Sequence, residues 1–123
     1  MAADNSILDF TYLQQIAPPN SGLVEEMIEL CLQNIPEYLE NLSKAYERHD
    51  LEGVRKAAHK MKNSVNYIGV EELYRRLQRV ENEIYMGKKS ENLQHQVAEI
   101  KNMSRRALKE LQLVRATVPD SVD

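Results

Sequence analysis

Arg55, Lys56, His59, Lys62, Asn63 and Asn66 are the side chains whose types and spacing offer chemistry. They lie in a segment whose apolar residues, Val54, Ala58, Met61, Val65 and Ile68, follow the i, i+4, i+7 spacing of one buried helix face. At about 100° per residue, His59 falls roughly 140° from the middle of that stripe and points outward. Residues three and four positions apart are neighbours on a helix surface, so Arg55, Lys56, Lys62 and Asn63 ring His59, with Asn66 one turn further on. From Gly53 to Val70 there is no carboxylate, although the chain has a formal net charge of −3. An outward imidazole set among cations suits a group that arrives strongly negative, such as a phosphoryl group. Imidazole titrates close to neutrality, so an exposed histidine has a neutral lone pair to use as a nucleophile. No acid sits near His59 in the sequence to orient it as a general base. The plainer reading of the same residues is a solvated face carrying one surface histidine.

Ala58, His59, Met61, Lys62, Asn63, Ser64 and Gly69 together resemble the signature of histidine-containing phosphotransfer (HPt) domains, the helical intermediates of two-component phosphorelays. That pattern runs Ala-His, any residue, Leu or Met, Lys, a small residue, Ser, and a Gly about ten positions after the His. Asn63 departs from it, standing where the family commonly has Gly. The resemblance implies that His59 takes a phosphoryl group from a receiver-domain aspartate and passes it to another receiver aspartate. Lys62 would stabilise charge on the phosphoryl oxygens. Arg55, Lys56, Asn63 and Asn66 are expected to serve docking or charge balance, and Ser64 packing or a helix hydrogen bond. The implied partners are response-regulator receiver domains and a hybrid sensor histidine kinase. No cofactor of its own is expected, and Mg²⁺ would belong to the receiver.

The runner-up is a helical adaptor that binds a receiver or another signalling partner without phosphotransfer; the presence of both His59 and Lys62 speaks against it. A sensor-kinase dimerisation bundle fits less well. Such bundles usually follow the histidine with an acid and, a few positions later, a proline, whereas Lys60 follows His59 and the next proline is Pro119. No Gly-rich loop forms a nucleotide cradle, so no autonomous kinase activity is expected. The three histidines include no i, i+4 pair, which excludes a helix-borne zinc site of that kind.

The elements that must position these residues are all helical. Gly and Pro number four each, and β-branched residues never alternate with polar ones for long. Residues 1–6 read as a loose tail, and Ile7 to Ile16 as a short amphipathic helix capped by Asp9 or Thr11. This helix either leans on the bundle close to the histidine, as in the resembled family, or is a simple lid over one end of the core. Pro18-Pro19 breaks the chain, and Asn20 or Ser21 caps a second helix with Val24, Met27, Ile28, Cys31 and Ile35 as its stripe. Pro36 either kinks that helix or opens another, whose apolar face runs on through Tyr38, Leu39, Leu42 and Ala45.

Asp50 is a good N-cap for the central helix, expected over about 51–66, and Gly69 supplies the freedom to leave it. Val70 to Met86 follows with Leu73, Leu77, Val80 and Ile84 inward; Arg75, Arg76 and Arg79 crowd its outer side, where they are either a solvated face or an extension of the basic area that a partner meets. Ser90 opens the last helix, with Leu93, Val97, Ile100, Ala107, Leu111 and Val114 on one face and Ser104 as the polar interruption. Residues 118–123 read as a frayed tail. The expected fold is all-α: an up-and-down four-helix bundle over residues 7–117 with an added short N-terminal helix.

With 42% apolar and 28% charged residues, a chain of 123 residues builds one globular core rather than a disordered segment. The acidic balance argues against a general nucleic-acid binder. No apolar run approaches the ~20 residues of a membrane span, and the N-terminus lacks a signal-peptide pattern. A cytoplasmic monomer is the expectation. Cys31, in register with the second helix's stripe, reads as a core residue, and His49 and His95 read as structural and surface residues.

Overall fold

The structure is a computed structural model that describes residues 6–88 and 92–117. Five helices stand in order among the described residues: α1 (Thr11–Ile16), α2 (Leu23–Glu47), α3 (Leu51–Ile68), α4 (Glu71–Tyr85) and α5 (Leu93–Thr117). Short connections force successive helices to run antiparallel. α3 packs between α2 and α4, and α5 closes the bundle against both α2 and α4. The ion pair between Arg115 near the end of α5 and Glu29 near the start of α2, at 2.5 Å, reflects that closure. This is the expected four-helix bundle with a short additional helix at its N-terminal side. No helix among the described residues is long and apolar enough to cross a membrane.

Each long helix turns its apolar stripe inward to a shared core. Val54, Ala58, Met61, Val65 and Ile68 of α3 are fully buried, as are Leu73, Leu77 and Val80 of α4. Cys31 is buried in the same core, where desolvation pushes its thiol up to about 11 and leaves it inert. Its Sγ lies 3.5 Å from the Ser64 carbonyl oxygen. α2 runs through Pro36 without a break: the ring is exposed, so the backbone carbonyl it leaves unpaired can turn to water. Ser104 is fully buried on α5, and its hydroxyl meets no hydrogen-bond partner among the described residues. Ser104→Ala removes that orphaned group and improves helix propensity. It is expected to stabilise the fold by about 1 kcal/mol, raising the midpoint of thermal melting by circular dichroism by several degrees.

Two expectations about helix starts require correction. α1 begins at Thr11, not Ile7. Residues 6–10 form a non-helical strap: the Asp9 N–H donates to the Ile68 carbonyl at 2.9 Å, while the Ser6 hydroxyl and Ile7 N–H donate to Glu110. The Asp9 carboxylate accepts from the Thr11 N–H and hydroxyl, a local side-chain turn that stands in place of a helical one before Thr11. Partial burial raises the Glu110 carboxyl, but the Ser6, Ile7 and Arg106 donors outweigh it and hold the group below the usual glutamate range. Ser6 is thereby tied down rather than part of a loose tail; residues 1–5 and 118–123, expected as tails, and the Ser90 cap lie outside the described residues. The N-cap of α2 is Gly22, not Asn20 or Ser21, and Ser21 Oγ accepts from the Leu23 N–H instead.

At the central helix Asp50 caps as expected, its Oδ1 accepting from the Gly53 N–H at 3.0 Å. A Cβ on Gly53 would lie 2.5 Å from Asp50 Oδ2 and 2.9 Å from Ala45 Cβ. Its bareness is what lets α2 approach the capped first turn of α3. α3 then continues two residues beyond the expected end, to Ile68.

Candidate functional site

His59 stands on the outward face of α3, opposite the buried stripe, with its side chain 57% exposed. The packing of Val54, Ala58, Met61 and Val65 fixes the helix while the imidazole remains open. It is not clear of carboxylates. Glu81 reaches across from α4, and its Oε2 lies 2.6 Å from His59 Nδ1. The second oxygen, Oε1, forms an ion pair with Lys62 Nζ at 2.8 Å. Glu81 and Lys62 are themselves only 13% and 14% exposed, so one mostly covered carboxylate between α3 and α4 joins the histidine and the lysine.

Burial raises the Glu81 carboxyl, but hydrogen bonding to Lys62 and His59 and the attraction of their charges outweigh it and hold the group below its ordinary range. An ionised carboxylate can only accept, so its partner nitrogen on His59 must donate. The arrangement therefore selects the Nδ1–H tautomer. The lone pair is left on Nε2, on the other edge of the ring. Lys62 is held from a second side by Tyr74, its ammonium 5.7 Å from the ring centroid.

Glu81 was missed because the local sequence around His59 holds no acid. A signal was nevertheless present. α3 and α4 form a helical hairpin about Gly69; His59 is ten residues before that glycine and Glu81 twelve after it, so an antiparallel pair brings them to one level. Glu81 also follows Val80 directly, at the edge of the α4 stripe, where the neighbouring helix covers most of the side chain.

The other expected residues are distributed unevenly around His59. Arg55 is tied to its own helix, its Nε 2.6 Å from Glu52 Oε2. Lys56 and Asn63 are exposed beside the histidine, and Ser64 is buried. Asn66 is exposed further along and lines a cleft of about 370 Å³ with Tyr12 and Tyr74 under α1. Tyr12 stacks on Tyr67 with ring centroids 6.1 Å apart, which seats α1 on the C-terminal part of α3. Arg75, Arg76 and Arg79 do not extend a basic area. They pair with Glu71, Glu72 and Glu83 one turn away, so α4 presents compensated charge.

A family model described as Hpt domain matches residues 26–117, which takes in His59, Lys62 and Glu81. No curated protein and no solved structure matches the chain. Hpt domains are phosphotransfer carriers of two-component signalling rather than kinases, and they engage receiver domains. With that match running through α2 to α5 and over most of its length, the chain belongs to the Hpt domain family.

Proposed function

We propose that this protein is a phosphorelay intermediate in which His59 receives a phosphoryl group from the phospho-aspartate of one receiver domain and yields it to the aspartate of another. The observation that carries the reading is the 2.6 Å contact between Glu81 and His59 Nδ1, which leaves Nε2 as the nucleophile. Nε2 attacks phosphorus in line; the N–P bond forms as the acyl O–P bond breaks, and the receiver keeps its electron pair as a carboxylate. The ring becomes positively charged as it is phosphorylated. The proton on Nδ1 stays in place, and Glu81 supplies the counter-charge. Lys62, already oriented between Glu81 and Tyr74, offers its ammonium to the phosphoryl oxygens. The reverse sequence, with a second receiver's aspartate as nucleophile, returns the site to neutral imidazole.

Mg²⁺ is assigned to the receiver, because the carboxylate this chain brings to His59 is already engaged with the histidine and the lysine. Its upstream partner is then the receiver of a hybrid sensor histidine kinase or a response regulator, met as a monomer in the cytoplasm.

Incubation with a labelled, phosphorylated receiver domain tests this. The wild-type protein is expected to take up acid-labile, base-stable label, and His59→Gln is expected to take up none while keeping its helical circular dichroism. Label on the variant would move the acceptor away from His59. Binding of receivers without any transfer to the wild type would make the protein an adaptor.

A further inference from the structure

Lys62 has two partners on α4, and the transfer alters its bond to one of them. Its ammonium lies 2.8 Å from Glu81 Oε1 and 5.7 Å from the centroid of the Tyr74 ring. Tyr74 and Glu81 are two helical turns apart, so both stand on the face of α4 that meets Lys62.

Glu81 is a shared partner. Its other oxygen lies against His59 Nδ1, and that ring gains charge when the phosphoryl group arrives. A cationic ring competes with Lys62 for the one carboxylate, so the grip of Glu81 on the ammonium differs before and after transfer. The Tyr74 contact is of another kind. An aromatic face attracts a cation through its quadrupole, which the charge on His59 does not claim. Its mount is rigid. The Tyr74 N–H donates to the Val70 carbonyl at 3.0 Å in the first turn of α4, and Leu73 and Leu77 beside it on the helix are fully buried. A ring held in this way restricts the rotamers of a long, otherwise flexible side chain.

We infer that Tyr74 is a positioning residue for phosphotransfer: its ring keeps the Lys62 ammonium in place while Glu81 turns from the lysine to the phosphorylated histidine, so that the cation meets the phosphoryl oxygens without having to be ordered anew. The inference rests on the phosphorelay reading. Tyr74 acts through Lys62 and not on the reacting atoms.

The test compares Tyr74→Leu and Tyr74→Phe with the wild type, and repeats Tyr74→Leu in a Lys62→Met background. NMR of the protein alone reads the ring-current shift of the Lys62 ε-methylene protons. Single-turnover transfer from a phosphorylated receiver, over a range of receiver concentrations, separates the saturating rate from the half-saturating concentration. Tyr74→Leu is expected to abolish the ring-current shift and to lower the saturating rate by about 3–10-fold, the range an ordinary cation–π contact supports, with the half-saturating concentration within about twofold of wild type. Tyr74→Phe keeps the aromatic face and should recover the shift and most of the rate. In the Lys62→Met background, Tyr74→Leu should change the rate by less than about 1.5-fold, because the group it acts through is gone.

An undiminished rate in Tyr74→Leu would overturn the inference, as would an equal loss in the Lys62→Met background, which would make Tyr74 a packing residue. A higher half-saturating concentration at an unchanged saturating rate would overturn it too, by making Tyr74 a receiver contact through the cleft under α1 that it also lines. Failure of every receiver to label the wild type would overturn the phosphorelay reading itself, and with it this role for Tyr74.

Discussion

Glu81→Gln is expected to lower the rate at which His59 takes up a phosphoryl group by about 10–100-fold, by analogy with the loss of a carboxylate that orients a metal-binding histidine. The amide is nearly the same size, so the packing between α3 and α4 survives. What changes is polarity and charge. An amide can donate as well as accept, so it no longer selects the Nδ1–H tautomer, and part of the population carries its proton on Nε2 where the nucleophile must be. The positive charge that grows on the ring during transfer also loses its counter-charge. Lys62, mostly covered and no longer paired, keeps Tyr74 but not its ion pair. Because its partners hold the Glu81 carboxyl below the ordinary range, it is ionised throughout neutral pH and its contribution there is constant. Single-turnover transfer from a phosphorylated receiver measures the effect. Glu81→Asp, which keeps the charge on a shorter arm, should recover part of the rate. A Glu81→Gln rate within about threefold of wild type would remove Glu81 from the transfer step.

Gly69→Ala is expected to cost about 2–4 kcal/mol of stability, the sum of a left-handed backbone forced on an L-residue and the loss of a tertiary hydrogen bond. Gly69 ends α3 at φ 71° and ψ 24°, and its N–H closes the helix onto Val65 and Asn66. A Cβ there would lie 1.9 Å from the Asp9 carbonyl oxygen, a distance at which the strap must move. Displacing it breaks the Asp9-to-Ile68 hydrogen bond and loosens the seating of α1 on Tyr67. Urea unfolding followed by circular dichroism measures the loss, and limited proteolysis should cut residues 6–17 before the bundle opens. A loss below about 1 kcal/mol, with the strap still protected, would show that the close approach of strap and turn is not maintained in solution.

The sequence by itself determined the features that repeat with the helical period. The α3 stripe, the outward placement of His59, the Asp50 cap and the exit at Gly69 all depend on residues within a few positions of one another. Helical geometry converts such spacings directly into faces. The stripes of the long helices were legible for the same reason, although Pro36 left open whether α2 was one helix or two, and short connections then required antiparallel neighbours. Spacing set out which residues share the outward face of α3 with His59, but not their partners on other helices. Glu81 on His59 and Lys62, the Asp9 strap on Ile68 and the anchoring of Ser6 on Glu110 join positions 19 to 104 residues apart. Only tertiary structure decided those, because periodicity says which way a side chain points and not what stands opposite it.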